Sequence, residues 1–331
     1  MQTVKLGKSG PEVSRVGLGC MAMSGTYGPA DRREAIATIH AALDAGITLI
    51  DTGDFYGMGH NEMLIGEALK SVPRDRYQLS VKFGALRDAG NGWSGNDARP
   101  AAVKNFLAYT LQRLGVDHID IYRPARLDPD VPIEDTVGAI AECIEAGWVR
   151  HVGLSEVGPE TLRRASAVRP IADLQIEYAL TTRNIERAVL PVCRELGIGL
   201  TVYGVFGRGL LTGGWRPGEL SPNDFRNHAP RFQGEAGARN ANVAAEIDRI
   251  AAGFGMTAGQ VLLAWVVAQG EDIVPLVGAR RPSRVVEAVK ALKKGLTPEQ
   301  LTALEAAIPA DAIQGERYAP AQMAQLDSER G

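Results

Sequence analysis

Cysteine is scarce in this chain: Cys20, Cys143 and Cys193 are odd in number, widely spaced and without neighbouring histidine pairs. That pattern excludes a disulfide framework and a zinc site of ordinary ligand spacing, and it points to a reduced, cytoplasmic environment. No cluster of carboxylates and histidines suggests a metal. An excess of one charge is lacking too, with 36 Lys and Arg set against 39 Asp and Glu. Without a basic block or a basic patch interleaved with aromatics, no nucleic acid or anionic membrane surface is expected as a partner. Long hydrophobic runs are missing: "VLLAWVVAQG" falls well short of the ~20 residues a membrane helix requires, and "MQTVKLGKSG" has no apolar signal core. No G-x-G-x-x-G follows the first apolar run. A small molecule is the expected partner, and no feature of the sequence speaks to an oligomeric state.

What is present is alternation. After an N-terminal hairpin expected at Thr3 to Leu6 and Val13 to Arg15, short apolar runs alternate with helical patterns to about residue 293, which implies a parallel sheet. Helices end at Gly46, Gly115, Gly147 and Gly197 and pass directly into strands. Asp31 and Glu34 form a capping-box signature at the start of one helix. Strands are expected at Val16–Met21, Thr48–Asp51, Gln78–Lys82, Ile119–Pro124, Val149–Ser155, Asp173–Tyr178, Leu200–Val205 and Asp272–Val277. Eight such strands with no break in composition fit a single closed (β/α)8 TIM barrel over residues 1–331 better than an open sheet. The segment from Phe206 to about Asn240 is too long and too rich in Gly, Pro and Arg for an ordinary loop and is expected to act as a lid. The polar tail beyond about Asp311 is expected to be partly disordered.

Barrel active sites are built at the carboxyl ends of the strands. The polar residues there include Asp51, Lys82, Ser155, Gln175, Glu177 and Tyr203. Asp51 and Lys82 fall on adjacent strands, where opposite charges hold each other ionised. An ammonium near a phenol lowers its pKa and eases proton release to a developing alkoxide. Tyr56, directly after the second barrel strand, is placed to be that acid. A purely structural Asp51–Lys82 pair with a merely packed Tyr56 is the alternative.

"LIDTGDFYG", "VKFG", "GLSE", "QIEYALTTRNIE", "GRGLLTGG" and "PLVGARRPSRVVEAV", in that order and on matching elements, resemble the aldo-keto reductase superfamily over nearly the whole chain. The resemblance implies reduction of an aldehyde or ketone by NADPH with an Asp, Tyr, Lys and His tetrad, in which Asp51, Tyr56 and Lys82 occupy three positions. The fourth departs: "DIYRPARLDP" has Ala125 where relatives carry histidine. His118 lies at the start of the same strand, and His60 begins a helix as a surface or capping residue. Arg123 or Arg126 could contribute a donor in place of the imidazole, but a plain ion-pairing role is expected for both. Activity is expected to be retained but altered, with space beside Ala125 for a bulkier carbonyl and with Trp93 as a pocket wall.

By the same resemblance, Tyr203 stacks on the nicotinamide while Ser155 and Gln175 bind its carboxamide; Glu156 stands where many relatives have asparagine. Gly207, Arg208, Gly209 and Leu211 belong to the segment that closes over the pyrophosphate. Gly278 precedes Arg280 and Arg281 for the 2′-phosphate, Arg284 for the adenine face and Glu287 for its amino edge, with Ala288 where asparagine is frequent. Adjacent arginines favour NADP(H) over NAD(H). A sensor of the same fold that binds NADP(H) with little turnover is the second reading. A barrel that binds another phosphorylated ligand, with an imine on Lys82, is the third.

Overall fold

In the computed structural model every residue is described except 91, 214, 217, 222, 223 and 331. The chain opens with the expected antiparallel hairpin, β1 (Thr3–Lys5), one residue shorter than expected, and β2 (Glu12–Ser14), shifted by one residue. Next come β3 (Gly17–Gly19), β4 (Leu49–Gly53), β5 (Gln78–Phe83), a small hairpin of β6 (Ala85–Arg87) and β7 (Trp93–Asn96), then β8 (Ile119–Pro124) and β9 (Val149–Ser155). The series ends with β10 (Ile171–Glu177), β11 (Gly199–Tyr203) and β12 (Ile273–Gly278). Strands β3, β4, β5, β8, β9, β10, β11 and β12 pair in that order, all parallel, and β12 returns to β3 to close the barrel. The expected (β/α)8 architecture is therefore observed.

Helices α1 (Arg32–Asp44), α2 (His60–Leu69), α3 (Pro100–Leu114), α4 (Ile133–Glu145), α5 (Pro159–Val168) and α6 (Val189–Leu196) follow successive strands. The C-terminal third adds α7 (Gly234–Gly253), α8 (Ala258–Ala268), α9 (Pro282–Lys294), α10 (Pro298–Ala307) and α11 (Pro320–Met323). The four helix-ending glycines all take left-handed φ values, from +69° at Gly115 to +85° at Gly46, which a side chain would strain. The capping box at α1 is only half made: Asp31 accepts the N–H of Glu34 at 2.8 Å. The Glu34 carboxylate turns instead toward Arg281, 3.6 Å away. No single helix among the described residues is long and apolar enough to cross a membrane.

The barrel interior is stratified because alternate residues of every strand point inward. At the floor, Leu6 and Val13 from the hairpin region pack with Leu49, Ile121, Val274 and Leu276. The hairpin sits so close that a Cβ on Gly7 would lie 2.5 Å from the backbone nitrogen of Gly199. One layer higher the interior turns polar. Arg123, fully buried, donates to Asp173 at 3.0 Å, Ser80 at 2.9 Å and Thr201 at 3.1 Å, and Thr201 donates to Asp173 at 2.5 Å. Gly153 makes room for this pair, since a Cβ there would stand 2.6 Å from Asp173 Oδ1. The expectation that Arg123 pairs an ion is met inside the barrel.

The β6–β7 hairpin is not signalled by the sequence, because Trp93 and the apolar Leu86 give too short a pattern to mark strands. Two sequence expectations need correction. Among its described residues the expected lid holds three short 3-10 turns, Gly207–Thr212, Phe225–His228 and Pro230–Phe232, and its end is already α7, whose glycine-rich start hides a helical period. Gly214 of "GRGLLTGG" lies outside the described residues. Finally, the tail beyond Asp311 is packed rather than disordered: Arg317 is 3% exposed and Leu326 1%.

Because Arg123 and Asp173 share a site without solvent, Arg123→Met leaves a carboxylate uncompensated. Equilibrium urea unfolding should register a loss of about 3–5 kcal/mol. A loss below about 1 kcal/mol would mean that the pair contributes little and that Thr201 alone satisfies Asp173.

Candidate active site

The turn after β4 carries Tyr56 and is braced by buried polar contacts. Tyr56 N–H donates to Gly53 O at 3.0 Å, and its own carbonyl accepts from Asn61 N–H at 3.2 Å. The Asn61 side chain, fully buried, donates to Cys20 O at 2.9 Å and Ser24 Oγ at 2.8 Å and accepts from Thr52 Oγ1 at 2.7 Å. Asn61 thus ties the turn to the segments after β3 and at the end of β4. Sequence reasoning missed it, although a polar residue on the inward side of a helix start was a visible signal. His60, beside it, accepts from or donates to Ser24 Oγ at 2.9 Å, in keeping with the expected capping or surface role.

Asp51 and Lys82 meet inside the rim. Lys82 Nζ donates to Asp51 Oδ1 at 2.5 Å, although Asp51 is paired in register with Ser80, two residues below Lys82. The lysine therefore reaches down the strand to its carboxylate. Asp51 Oδ2 accepts from Ser80 Oγ at 2.7 Å and from Gln175 Nε2 at 2.8 Å. Both members are almost completely buried, so the pair stands on these added hydrogen bonds as well as on Coulomb attraction. Lys82 Nζ also lies 5.1 Å from the centroid of the Tyr56 ring, within cation–π range.

The expected lowering of the phenol pKa is not what the resting site displays. Burial first, then the Asp51 carboxylate, push the Tyr56 pKa well above its ordinary value. Burial also lowers the Lys82 pKa despite Asp51. The lysine charge is largely spent on its carboxylate and on the ring face. Asp54, between Asp51 and Tyr56, is a different case: burial pushes its carboxyl up to about 7.

A cavity of 730 Å³ opens at this end of the barrel, within the size range of small-molecule sites. It is lined by Asp51, Tyr56, Lys82, Trp93 and Arg126, by Ser155, Gln175, Tyr203, Arg208 and Gly209, and, after β12, by Gly278, Arg280, Arg281, Arg284 and Glu287. Arg280 donates to the carbonyls of Tyr27 at 3.2 Å and Pro29 at 3.1 Å, whereas Glu287 accepts from Thr257 at 2.6 Å and Arg284 at 2.8 Å. The Ser155 hydroxyl is buried without a hydrogen-bond partner among the described residues.

Three expected site residues do not line this cavity. Ala125 is buried, its N–H donating to Phe83 O at 2.8 Å, and it is the following residue, Arg126, that enters the cavity. Gly207 and Leu211 also stay out: Leu211 is fully buried, and a Cβ on Gly207 would lie 2.8 Å from its Cγ, so the two pack beneath the segment. Arg126 forms no salt bridge among the described residues, contrary to the ion-pairing expectation. It donates to Ala125 O at 2.6 Å and reaches Tyr318 Oη at 3.4 Å.

The C-terminal segment supplies the rest of the wall. Arg317 donates to both oxygens of Glu156, at 2.9 and 2.5 Å, and to Glu329 at 2.8 Å. Ser328 Oγ donates to Glu156 at 2.8 Å, and so does Tyr203 Oη at 2.6 Å. Tyr318 Oη lies 2.8 Å from Tyr203 Oη, and the Arg208 guanidinium sits 4.3 Å above the Tyr318 ring. Glu156 is therefore a clasp for the tail and does not line the cavity. Arg317 outweighs the cost of burying its carboxyl and holds it at about 2.

A parallel barrel with a phenol, an ammonium, a carboxylate and an arginine cluster lining one cavity has the make-up of a barrel oxidoreductase for a phosphate-bearing nucleotide. Comparison with known proteins agrees: the model of the Aldo/keto reductase family matches residues 15–309, and the chain belongs to that family of nicotinamide-dependent oxidoreductases. It is 40% identical over 319 residues, 96% of this chain and 92% of the relative, to a probable aldo-keto reductase from Glycine max. Among solved structures, the glycerol dehydrogenase of Gluconobacter oxydans superposes with a TM-score of 0.83 at 29% identity, covering 94% of this chain and 97% of that one. An aldo-keto reductase from Klebsiella pneumoniae in complex with NADPH gives a TM-score of 0.72 at 26% identity, covering 93% and 95%.

Removal of the clasp has a signed pH dependence. The Glu156 pKa is depressed on folding, so the pair's contribution is present above the unfolded value near ~4.4 and is lost as pH falls toward about 2. Arg317→Ala should cost about 3–5 kcal/mol at pH 7, because a buried carboxylate is stranded. The deficit relative to the parent should shrink at pH 4, where the stranded carboxyl takes up a proton. Thermal melts at both pH values measure this, and a deficit that grows on acidification would contradict it.

Proposed function

We propose that the protein reduces an aldehyde or ketone to an alcohol with NADPH, Tyr56 giving the proton. The observation that carries the reading is the meeting of Tyr56, Lys82 and Asp51 in one cavity that is also lined by Arg280, Arg281 and Arg284. The fit of the cofactor rests on this chain's own features. Arg280, Arg281 and Arg284 suit a phosphate monoester beside the start of α9, and the orphaned Ser155 hydroxyl, with Gln175 next to it, suits an amide such as the carboxamide. When bound, a reduced nicotinamide supplies the hydride.

The protein's part is to bind, orient and protonate. Tyr203 is the flat surface for the nicotinamide ring, and Arg208 and Gly209 cover the pyrophosphate. Gly278, Arg280, Arg281, Arg284 and Glu287 serve the 2′-phosphate and adenine, which is why NADPH is favoured over NADH. Tyr56 stays protonated at neutral pH because its pKa is raised, and it releases the proton only to a stronger base, the alkoxide oxygen that forms as the carbonyl is reduced. The Lys82 ammonium then lies against the nascent phenolate and limits its cost, while Asp51 keeps the lysine charged and in place. Trp93 walls the substrate end.

Tyr56→Phe should lower kcat by about 10²–10⁴-fold toward a panel of aldehydes and ketones while NADPH still binds by fluorescence titration. NADPH consumption that persists at the parental rate would refute Tyr56 as the acid. Tight NADPH binding with no turnover in the parent as well would favour a cofactor sensor over a reductase.

A further inference from the structure

The cavity's cations differ in what neutralises them. Lys82 has Asp51, Arg208 has Glu177 at 3.0 Å, Arg226 has Asp224 at 2.7 Å and Arg284 has Glu287 at 2.8 Å. Arg281 faces Glu34 at 3.6 Å, and Arg280 caps two backbone carbonyls at the far end. Arg126 and Arg87 form no salt bridge among the described residues, and both line the end of the cavity that holds Tyr56. Arg87 lies 5.8 Å from the Trp93 ring, which in turn meets Phe55 and, through it, Tyr56. Arg126 is fixed from behind by Ala125 O and flanked by Tyr318, whose ring centroid is 5.7 Å away.

A guanidinium has five N–H donors in a planar fork, and its two contacts leave most of Arg126's donors for a ligand. A half-buried guanidinium that feels Glu156 only at a distance and touches no carboxylate keeps room for an anion that enters with the ligand. We propose that the protein's preferred carbonyl substrates carry a carboxylate close to the reacting aldehyde or ketone, and that Arg126 binds it. The proposal rests on the reductase reading. Arg126 is then a specificity residue that enters the site from the turn after β8, directly after Ala125. Arg126 lines the same cavity as Tyr56 and Lys82, and its charge is felt at both. Arg87, at the exposed rim, adds attraction during approach, which salt screens.

The test compares 2-formylbenzoate with its neutral analogue 2-methylbenzaldehyde under saturating NADPH, in the parent, Arg126→Met and Arg126→Lys. The parent should favour the carboxylate by at least about tenfold in kcat/KM, a difference of about 1.4 kcal/mol. Arg126→Met should bring the ratio near one, mainly by raising KM for the acid, and Arg126→Lys should recover part of it. In parallel, quenching of tryptophan fluorescence by benzoate, with benzamide as the neutral control, reads anion binding without turnover and should weaken about tenfold in Arg126→Met. Turnover of both aldehydes at similar kcat/KM in the parent, or a ratio unchanged by Arg126→Met, would overturn the inference alone. Absence of turnover for every aldehyde with benzoate binding still dependent on Arg126 would sink the reductase reading and leave the anion site standing.

Discussion

A lysine and an aspartate that share a nearly dry barrel interior are the constraint on which the rest of the site depends. Neither charge is stable there alone, since desolvation of each costs several kcal/mol. The barrel meets the cost with geometry. Ser80 and Gln175 occupy the second oxygen of Asp51, Arg123 binds Ser80 and Asp173 from the layer below, and Thr201 links Asp173 to Gln175. Five strands contribute to this one hydrogen-bonded layer, so its parts cannot move independently. Tyr56 is set above it by a turn that Asn61 braces.

The same logic of buried charge recurs at the other side of the mouth. Glu156 takes a left-handed backbone conformation, with φ of 53°, directly after β9 and buries its carboxylate against Arg317. This draws the C-terminal segment across the barrel opening and brings Tyr318 beside Tyr203, Arg126 and Arg208. One end of the cavity is thus shaped by a segment that is remote in sequence from every barrel strand. That segment gives the substrate end an aromatic and cationic character which the strand ends alone would not supply.

The fold was legible because its determinants are local. The hydrophobic runs, the glycines that end helices and the single period of helix and strand all act within about 30 residues, and all eight barrel strands follow from them. The pairing of Asp51 with Lys82 was legible for the same reason, as both lie at the ends of neighbouring strands. What escaped depends on long-range contacts. The packing of the tail rests on Arg317 meeting Glu156 across 161 residues, and its polar composition alone reads as solvated. Arg126 was read first as an ion-pairing residue and only second as a donor at the site, because the loop after β8 has no periodic pattern from which its direction could be read, and only the barrel geometry turns it inward. Ala125 was read as pocket because a histidine of the resemblance would sit there, whereas a methyl group is too short to reach the cavity. The pKa of Tyr56 was anticipated in the wrong direction: the lysine's field was considered and the burial of the phenol was not.

The central claim is that Lys82 acts through Tyr56 rather than beside it. A double-mutant cycle on kcat with Tyr56→Phe, Lys82→Met and the pair combined tests this most directly. If the two side chains form one proton-delivery unit, the combined variant will be no slower than the slower single variant. If the losses instead multiply, Lys82 contributes independently of the phenol, and the two side chains are not a single unit.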